Sequence, residues 1–258
     1  MAGVMNQANT AQLAELFTSI QGEGLYVGER QIFIRFAGCN LACQYCDSPQ
    51  ALAVGPAYKY EPVPGTHKFE LRNNPVTVEQ LVALAVLLNK PAGAAQALSL
   101  TGGEPLLQVD FLKAFLPEVK KTLGLPIYLE TNGVLPGHLN EVIEQVDIIA
   151  LDFKLPSATG QSPYWKEHQQ ALEVAYLKEV FVKIVVTKET KVKELDEAAT
   201  LIAGVDAEIP LVIQPVSPHG AIKHRPGGEE LLAFQATAKR KLKHVRVIPQ
   251  LHKLFGLL

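Results

Sequence analysis

The chain has 258 residues, 48% of them hydrophobic and 19% charged, with a formal net charge of −2. That length suits one large domain, 1–258, with a substantial core, and so balanced a charge excludes a polyanion such as nucleic acid as the expected partner. No apolar run approaches the ~20 residues needed to span a bilayer, and three clustered cysteines make no disulfide framework. The opening MAGVMNQANT has neither the basic nor the apolar region of a secretion signal. A reducing cytoplasm is the expected compartment.

The first predicted strand is QIFIRF (31–36), which leads into GCNLACQYCDSP (38–49), the segment that holds every cysteine. Pro and Gly then mark 50–76 as a long loop or small insertion. Thr77 and Gln80 have the spacing of a capping box ahead of LVALAVLLN. Strands follow at QALSL (96–100), PIYLE (126–130) and DIIALD (147–152). Ser162 and Pro163 suit an N-cap and first-turn pair. Next come VFVKIVV (180–186), a helical KVKELDEAATLIA that Gly204 would close, PLVIQP (210–215) and HVRVI (244–248). These strands are rich in Ile, Val and Leu, as strands covered on both faces are. Strand–helix alternation implies an α/β fold with a parallel sheet. About six units are fewer than the eight of a closed barrel, so the expectation is an open, partial (β/α) barrel, with a doubly wound sheet as the alternative.

Cys39, Cys43 and Cys46 stand at C-x3-C-x2-C spacing, with no fourth cysteine anywhere. Three readings compete. The thiols could be small buried hydrophobes, although a polar loop containing Gly and Asn is a poor place for them. They could form a Cys3His zinc site, for which His67 is the nearest downstream histidine. Or they could hold an iron–sulfur cluster with one iron left open, and an open metal position is what catalysis requires.

With the aromatic Tyr45 before its last cysteine, CNLACQYC resembles the signature of the radical S-adenosylmethionine (SAM) superfamily. GGEP in SLTGGEP (99–105) resembles that superfamily's second motif, where Gly102 and Gly103 would admit the methionine end of the ligand. Glu104 would be an acceptor or a structural anchor. The longer run LFTSIQGEGLYVGERQIFIRFAGCNLACQYCDSP (16–49) is similar to the 7-carboxy-7-deazaguanine synthase family. The likeness continues through ETNG (130–133), QPVS and RVIPQLHKLFG (246–256).

That resemblance implies a carbon–nitrogen lyase that converts 6-carboxy-5,6,7,8-tetrahydropterin to 7-carboxy-7-deazaguanine with loss of ammonia, on the route to queuosine and other 7-deazapurines. It implies a [4Fe–4S] cluster on Cys39, Cys43 and Cys46, and SAM as source of a 5′-deoxyadenosyl radical that takes hydrogen from C6 of the pterin. Carried over by motif, Ile20, Gln21, Gly22 and Thr101 would meet the pterin, and Arg35 would hold its carboxylate. Tyr45, Cys46, Asp47 and Gly103 would line the SAM site. Asp152, Phe153, Lys154, Gln214 and Ser217 would complete it at the strand ends, where parallel sheets place ligands. Mg²⁺ would sit on Ser48, where the family often has threonine. Leu258 would reach the substrate through the chain terminus, and His252 would be either a substrate-side donor or a packing residue. Flavodoxin or ferredoxin would supply the electron, no membrane would be involved, and the assembly would be a homodimer. A glycyl-radical activating enzyme acting on a partner protein shares the cysteine spacing and is the alternative activity.

Overall fold

The computed structural model describes residues 9–219 and 222–257. In chain order the strands are β1 (Thr10–Ala11), β2 (Leu13–Ile20), β3 (Arg30–Phe36), β4 (Ala57–Tyr60), β5 (Glu70–Asn73), β6 (Val76–Thr77), β7 (Ala97–Gly102), β8 (Ile127–Thr131), β9 (Ile148–Asp152), β10 (Glu179–Val186), β11 (Leu211–Pro215) and β12 (Val245–Val247). The helices are α1 (Val78–Leu88), α2 (Val109–Leu123), α3 (Pro136–Val142), α4 (Pro156–Thr159), α5 (Trp165–Ala175), α6 (Val192–Val205), α7 (Gly228–Lys239) and α8 (Leu251–Leu254). None of these helices is long and apolar enough to cross a membrane.

Strands β3 and β7 to β12 run parallel and lie side by side in chain order. Six strand–helix units therefore precede β12, and among the described residues the sheet ends at β12 and β5. The open, partial barrel is borne out. Its seven predicted strands fall within two residues of the observed ones.

The alternation of side chains along these strands builds the two sides of the sheet. On the helix-covered side, Ile127, Leu129, Ile149, Leu151, Val182, Ile184, Leu211 and Ile213 join the main core. On the concave side, a smaller cluster of Tyr128, Ile148, Ala150, Phe181 and Val212 fills the base, with Leu25, Tyr26 and Ile248 packed against it. Two residues further along each strand, the same side turns polar. Tyr128 gives way to Glu130, Ala150 to Asp152, Phe181 to Lys183 and Val212 to Gln214. The barrel thus has an apolar floor below a polar chamber at the C-terminal ends of its strands.

Local signals were met unevenly. The Thr77 capping box forms in both directions, with Gln80 N donating to Thr77 Oγ1 at 3.3 Å and Thr77 N to Gln80 Oε1 at 3.0 Å. Ser162 and Pro163 do not start a helix, because α5 begins at Trp165 with no side-chain cap. Tyr164 and Trp165 instead pack edge-on to His168, and those contacts fix the entry. Gly204 lies inside the last turn of α6, which stops at Asp206. There the carboxylate accepts from Glu208 N at 2.9 Å and Tyr176 Oη at 2.6 Å. The 50–76 segment is not a bare loop: β4 pairs with β2, and β5 pairs with β4.

Candidate active site

The cysteine loop leaves β3 at Phe36 and is pinned against the turn after β7. Gly103 N donates to Phe36 O at 3.1 Å, Glu104 N to Gly38 O at 2.9 Å, and Gly38 N to Ala51 O at 2.8 Å. A Cβ on Gly103 would stand 2.1 Å from Gly38 O and 2.7 Å from Ala51 O. On Gly102, at φ +135°, it would stand 2.3 Å from Phe36 O. Both glycines are therefore required first by the approach of the cysteine loop, a nearer reason than room for a ligand. Glu104 is an anchor. Wholly buried, it accepts from Leu106 N, Thr131 Oγ1 and Asn132 N at 2.8–3.0 Å and so ties β7 to β8.

A cavity of about 230 Å³ opens over this turn at the C-terminal ends of the parallel strands. Cys39, Cys43 and Cys46 line it, together with Ile20, Gln21, Gly22, Arg35, Tyr45, Asp47, Ser48, Thr101, Gly103, Asp152, Lys154, Gln214 and Ser217. Phe153 is the exception. Its ring is fully buried, stacked on His168 at 4.5 Å, and takes no part in the wall. Leu258 lies outside the described residues. His67, the zinc candidate, is not in the cavity wall.

On one side, Arg35 faces Glu15 across the β2–β3 pair, and its Nε donates to Glu15 Oε2 at 2.8 Å. Its Nη1 donates to Ser48 Oγ at 3.2 Å, and Ser48 Oγ donates to Asp47 Oδ1 at 3.3 Å. Beside it, Gln21 Nε2 donates to Glu130 Oε1 at 2.9 Å and Thr101 Oγ1 to Glu130 Oε2 at 2.9 Å, which fixes that carboxylate. On the other side, Asp152 lies 2.9 Å from Lys154 Nζ and 3.2 Å from Lys183 Nζ. Burial opposes all three charges, but the mutual pairing prevails. It holds Asp152 below its ordinary range and both lysines above theirs.

Sequence reasoning missed Glu15, Glu23, Glu130, Lys183 and Gln250, which also line the cavity. Lys183 carried a usable signal, since a lysine inside VFVKIVV is a buried charge that must have a partner. His252 packs against Gly22, where a Cβ would come within 2.0 Å of its Nδ1. Glu23, Asp47 and His252 each offer a ligand atom, all within 4.8 Å of one another. Lys183 and Lys253 already neutralise the two carboxylates, so the trio is an ion-paired wall and not a cation site.

The radical SAM superfamily model matches residues 33–202. A 7-carboxy-7-deazaguanine synthase from Geobacter sulfurreducens is 44% identical over 95% of this chain and 97% of its own. The chain belongs to the 7-carboxy-7-deazaguanine synthase family, within the radical SAM superfamily. The synthase of Thermococcus kodakarensis is 37% identical over 95% of this chain and 98% of its own. Among solved structures, QueE from Escherichia coli superposes with a TM-score of 0.57 at 18% identity, covering 98% and 99% of the two chains, which speaks for the fold. Streptococcus suis SuiB bound to SAM gives 0.53 at 16% identity over 81% of this chain and 48% of that one.

Membership in this synthase family implies a [4Fe–4S] cluster and SAM, and the residues present suit both. The three thiols open on one cavity and form no disulfide. Leu41 N donates to Cys39 Sγ at 3.4 Å, the kind of bond that steadies a thiolate ligand. Burial pushes the Cys39 and Cys43 thiols up, so a cation at the sulfurs must displace their protons. Asp152 Oδ1 and Gln214 Oε1 are buried acceptors with no partner among the described residues. Both belong to residues of the cavity wall and suit the hydroxyl and amino donors of SAM.

Proposed function

We propose that the protein converts 6-carboxy-5,6,7,8-tetrahydropterin to 7-carboxy-7-deazaguanine with loss of ammonia. The reading is carried by Arg35, a guanidinium fixed by Glu15 in the wall of the same cavity as the three thiols. A cation held by its Nε edge keeps terminal nitrogens for a carboxylate, and the substrate's distinguishing group is a carboxylate. The cluster and SAM supply a 5′-deoxyadenosyl radical when bound.

The chain's own residues do the rest. Arg35 binds the substrate carboxylate. Ile20, Gln21, Gly22 and Thr101 border the pterin, with Gln21 and Thr101 holding Glu130 where ring N–H groups could donate to it. Tyr45, Asp47, Gly103, Asp152, Lys154, Gln214 and Ser217 form the cosubstrate side. Apolar packing of Tyr128, Phe181 and Leu25 beneath the chamber keeps water from entering through the base.

Mg²⁺ belongs to the reading through Ser48. The Ser48 backbone carbonyl makes the turn, accepting from Ala51 N at 2.9 Å, while its hydroxyl makes no cap. That hydroxyl lies between Arg35 and Asp47, where substrate carboxylate and waters would complete a hard-cation shell. A one-electron donor such as flavodoxin or ferredoxin, a homodimeric assembly and a cytoplasmic location complete the proposal. The test is anaerobic incubation of reconstituted protein with SAM, reductant, Mg²⁺ and the carboxytetrahydropterin. Mass spectrometry should find carboxydeazaguanine, and SAM cleavage without that product would overturn the assignment.

A further inference from the structure

Six side-chain contacts run in series around the chamber. Tyr45 Oη meets Lys154 Nζ at 3.3 Å, Lys154 pairs with Asp152 at 2.9 Å, Asp152 with Lys183 at 3.2 Å, and Lys183 with Glu23. Gln250 Nε2 then donates to Glu23 Oε1 at 2.7 Å and to Asp47 Oδ2 at 2.9 Å. Asp47 is two residues from Tyr45, so the chain itself completes the circuit. Lys253 sits outside it, 3.3 Å from Asp47.

With Lys253 counted beside the circuit, its charges balance. Lys154, Lys183 and Lys253 offset Asp152, Glu23 and Asp47, and Gln250 is the neutral link. It stands where two carboxylates face each other, a junction that two like charges cannot close by themselves. A primary amide has two N–H donors and no charge, so it can join two like-charged acceptors without upsetting the sum. Gln250 is only 8% exposed, and the next residue continues the attachment, with Leu251 N donating to Gly22 O at 2.8 Å.

The two carboxylates that Gln250 joins belong to different loops. Glu23 lies in the β2–β3 connection, beside the residues assigned to the pterin, and Asp47 lies in the cysteine loop, beside the last thiol. Among the described residues, no backbone hydrogen bond joins the two loops. We infer that Gln250 is a positioning residue that holds the substrate-side loop in register with the cysteine loop, fixing the spacing between substrate and cosubstrate. The inference rests on the proposed reaction, in which a hydrogen must pass between the two bound molecules. Such a transfer tolerates little error, since a displacement of about 1 Å can cost a hundredfold in rate.

Gln250→Leu removes both donors at nearly constant volume. The reconstituted variant should keep its iron and its SAM cleavage in the absence of substrate. KM for the carboxytetrahydropterin should rise about tenfold, in line with the loss of buried hydrogen bonds to charged acceptors. The ratio of 5′-deoxyadenosine released to deazapurine formed should rise at least about threefold as the two loops lose register. Gln250→Asn keeps an amide too short to span both carboxylates and should shift the ratio in the same direction by less. Should the leucine variant lose iron, the asparagine variant decides by the same ratio. A purely structural role would lower both activities together and leave the ratio unchanged. That outcome, or a wild-type KM and ratio in both variants, overturns the inference. A wild-type protein that forms no deazapurine would show, before any variant is compared, that the proposed reaction is wrong, and the inference would fall with it.

Discussion

On the proposed reading, Arg35 divides its guanidinium between support and binding. Its Nε is taken by the buried Glu15, its Nη1 touches Ser48, and lysine could reproduce only one of these contacts. Arg35→Lys should therefore raise KM for the carboxylated substrate by roughly thirtyfold, equivalent to about 2 kcal/mol for a lost charge-assisted pair. SAM cleavage without substrate should persist, and an equal fall in both activities would assign Arg35 to support of the cysteine loop. Ser48 permits a finer test, because its hydroxyl lies against Arg35 and Asp47 and makes no turn contact. On the proposed reading, in which Ser48 ligates Mg²⁺, Ser48→Ala should lower turnover several-fold, about the effect of one ligand lost from a shell otherwise filled by substrate and water. It should also flatten the response to added Mg²⁺ and leave the cluster spectrum intact. Ser48→Thr should restore both. Unchanged Mg²⁺ dependence in the alanine variant would move the ion elsewhere.

At the scale of elements, the site depends on the fit between the cysteine loop and the turn after β7. Gly103→Ala would drive a Cβ to 2.1 Å from a backbone carbonyl, which cannot swing aside as a side chain can. Cluster incorporation should fall, with SAM cleavage and product formation lost in proportion, whereas any single Cys→Ala change at 39, 43 or 46 should abolish cleavage outright. Iron analysis should read about four per wild-type chain, and a Gly103→Ala protein with full iron would show that the loop can yield. The central parallel strands were legible because both of their faces are covered, leaving short apolar runs between helical stretches. β2 escaped notice because LAELFTSI mixes in Glu15, Thr18 and Ser19. All three are buried, and two have identifiable partners: Glu15 pairs with Arg35, and Thr18 N donates to Glu61 Oε2 at 2.9 Å. The same blindness hid Glu23, Glu130 and Gln250. Motifs and strand ends exposed the thiols, Arg35, Tyr45, Asp47, Asp152 and Lys154, but Glu23 and Gln250, which help join these into a polar ring, lie far apart in the chain, and no local pattern announces them.

Over the whole molecule, the polar chamber must be carried by a core that stays closed beneath it, and His168 is where that support becomes sensitive to acid. From α5 its ring stacks on Phe153, and its Nε2 lies between Asn132 O at 3.2 Å and Lys154 N at 3.3 Å, placed to donate to the first or to accept from the second, in the loops that follow β8 and β9. Burial pushes its pKa down from 6.5 to about 4. Between those values the unfolded chain binds a proton that the folded chain refuses, so stability rises with pH across the window. It is fully present above pH 6.5 and is lost as pH falls toward 4. The linkage amounts to about 2 kcal/mol between pH 7 and pH 5. Glu23, held at about 2 by Lys183 despite its burial, adds a second loss only below pH 4.5. The two can therefore be separated by pH. His168→Gln keeps a polar group beside Asn132 O and removes the titration, so urea unfolding of the metal-free variant should be less stable at pH 7 yet flatter between pH 7 and 5 than wild type. A variant with the wild-type slope would mean that His168 already carries a proton in the fold, and the neutral stack beneath Asn132 and Lys154 would have to be abandoned.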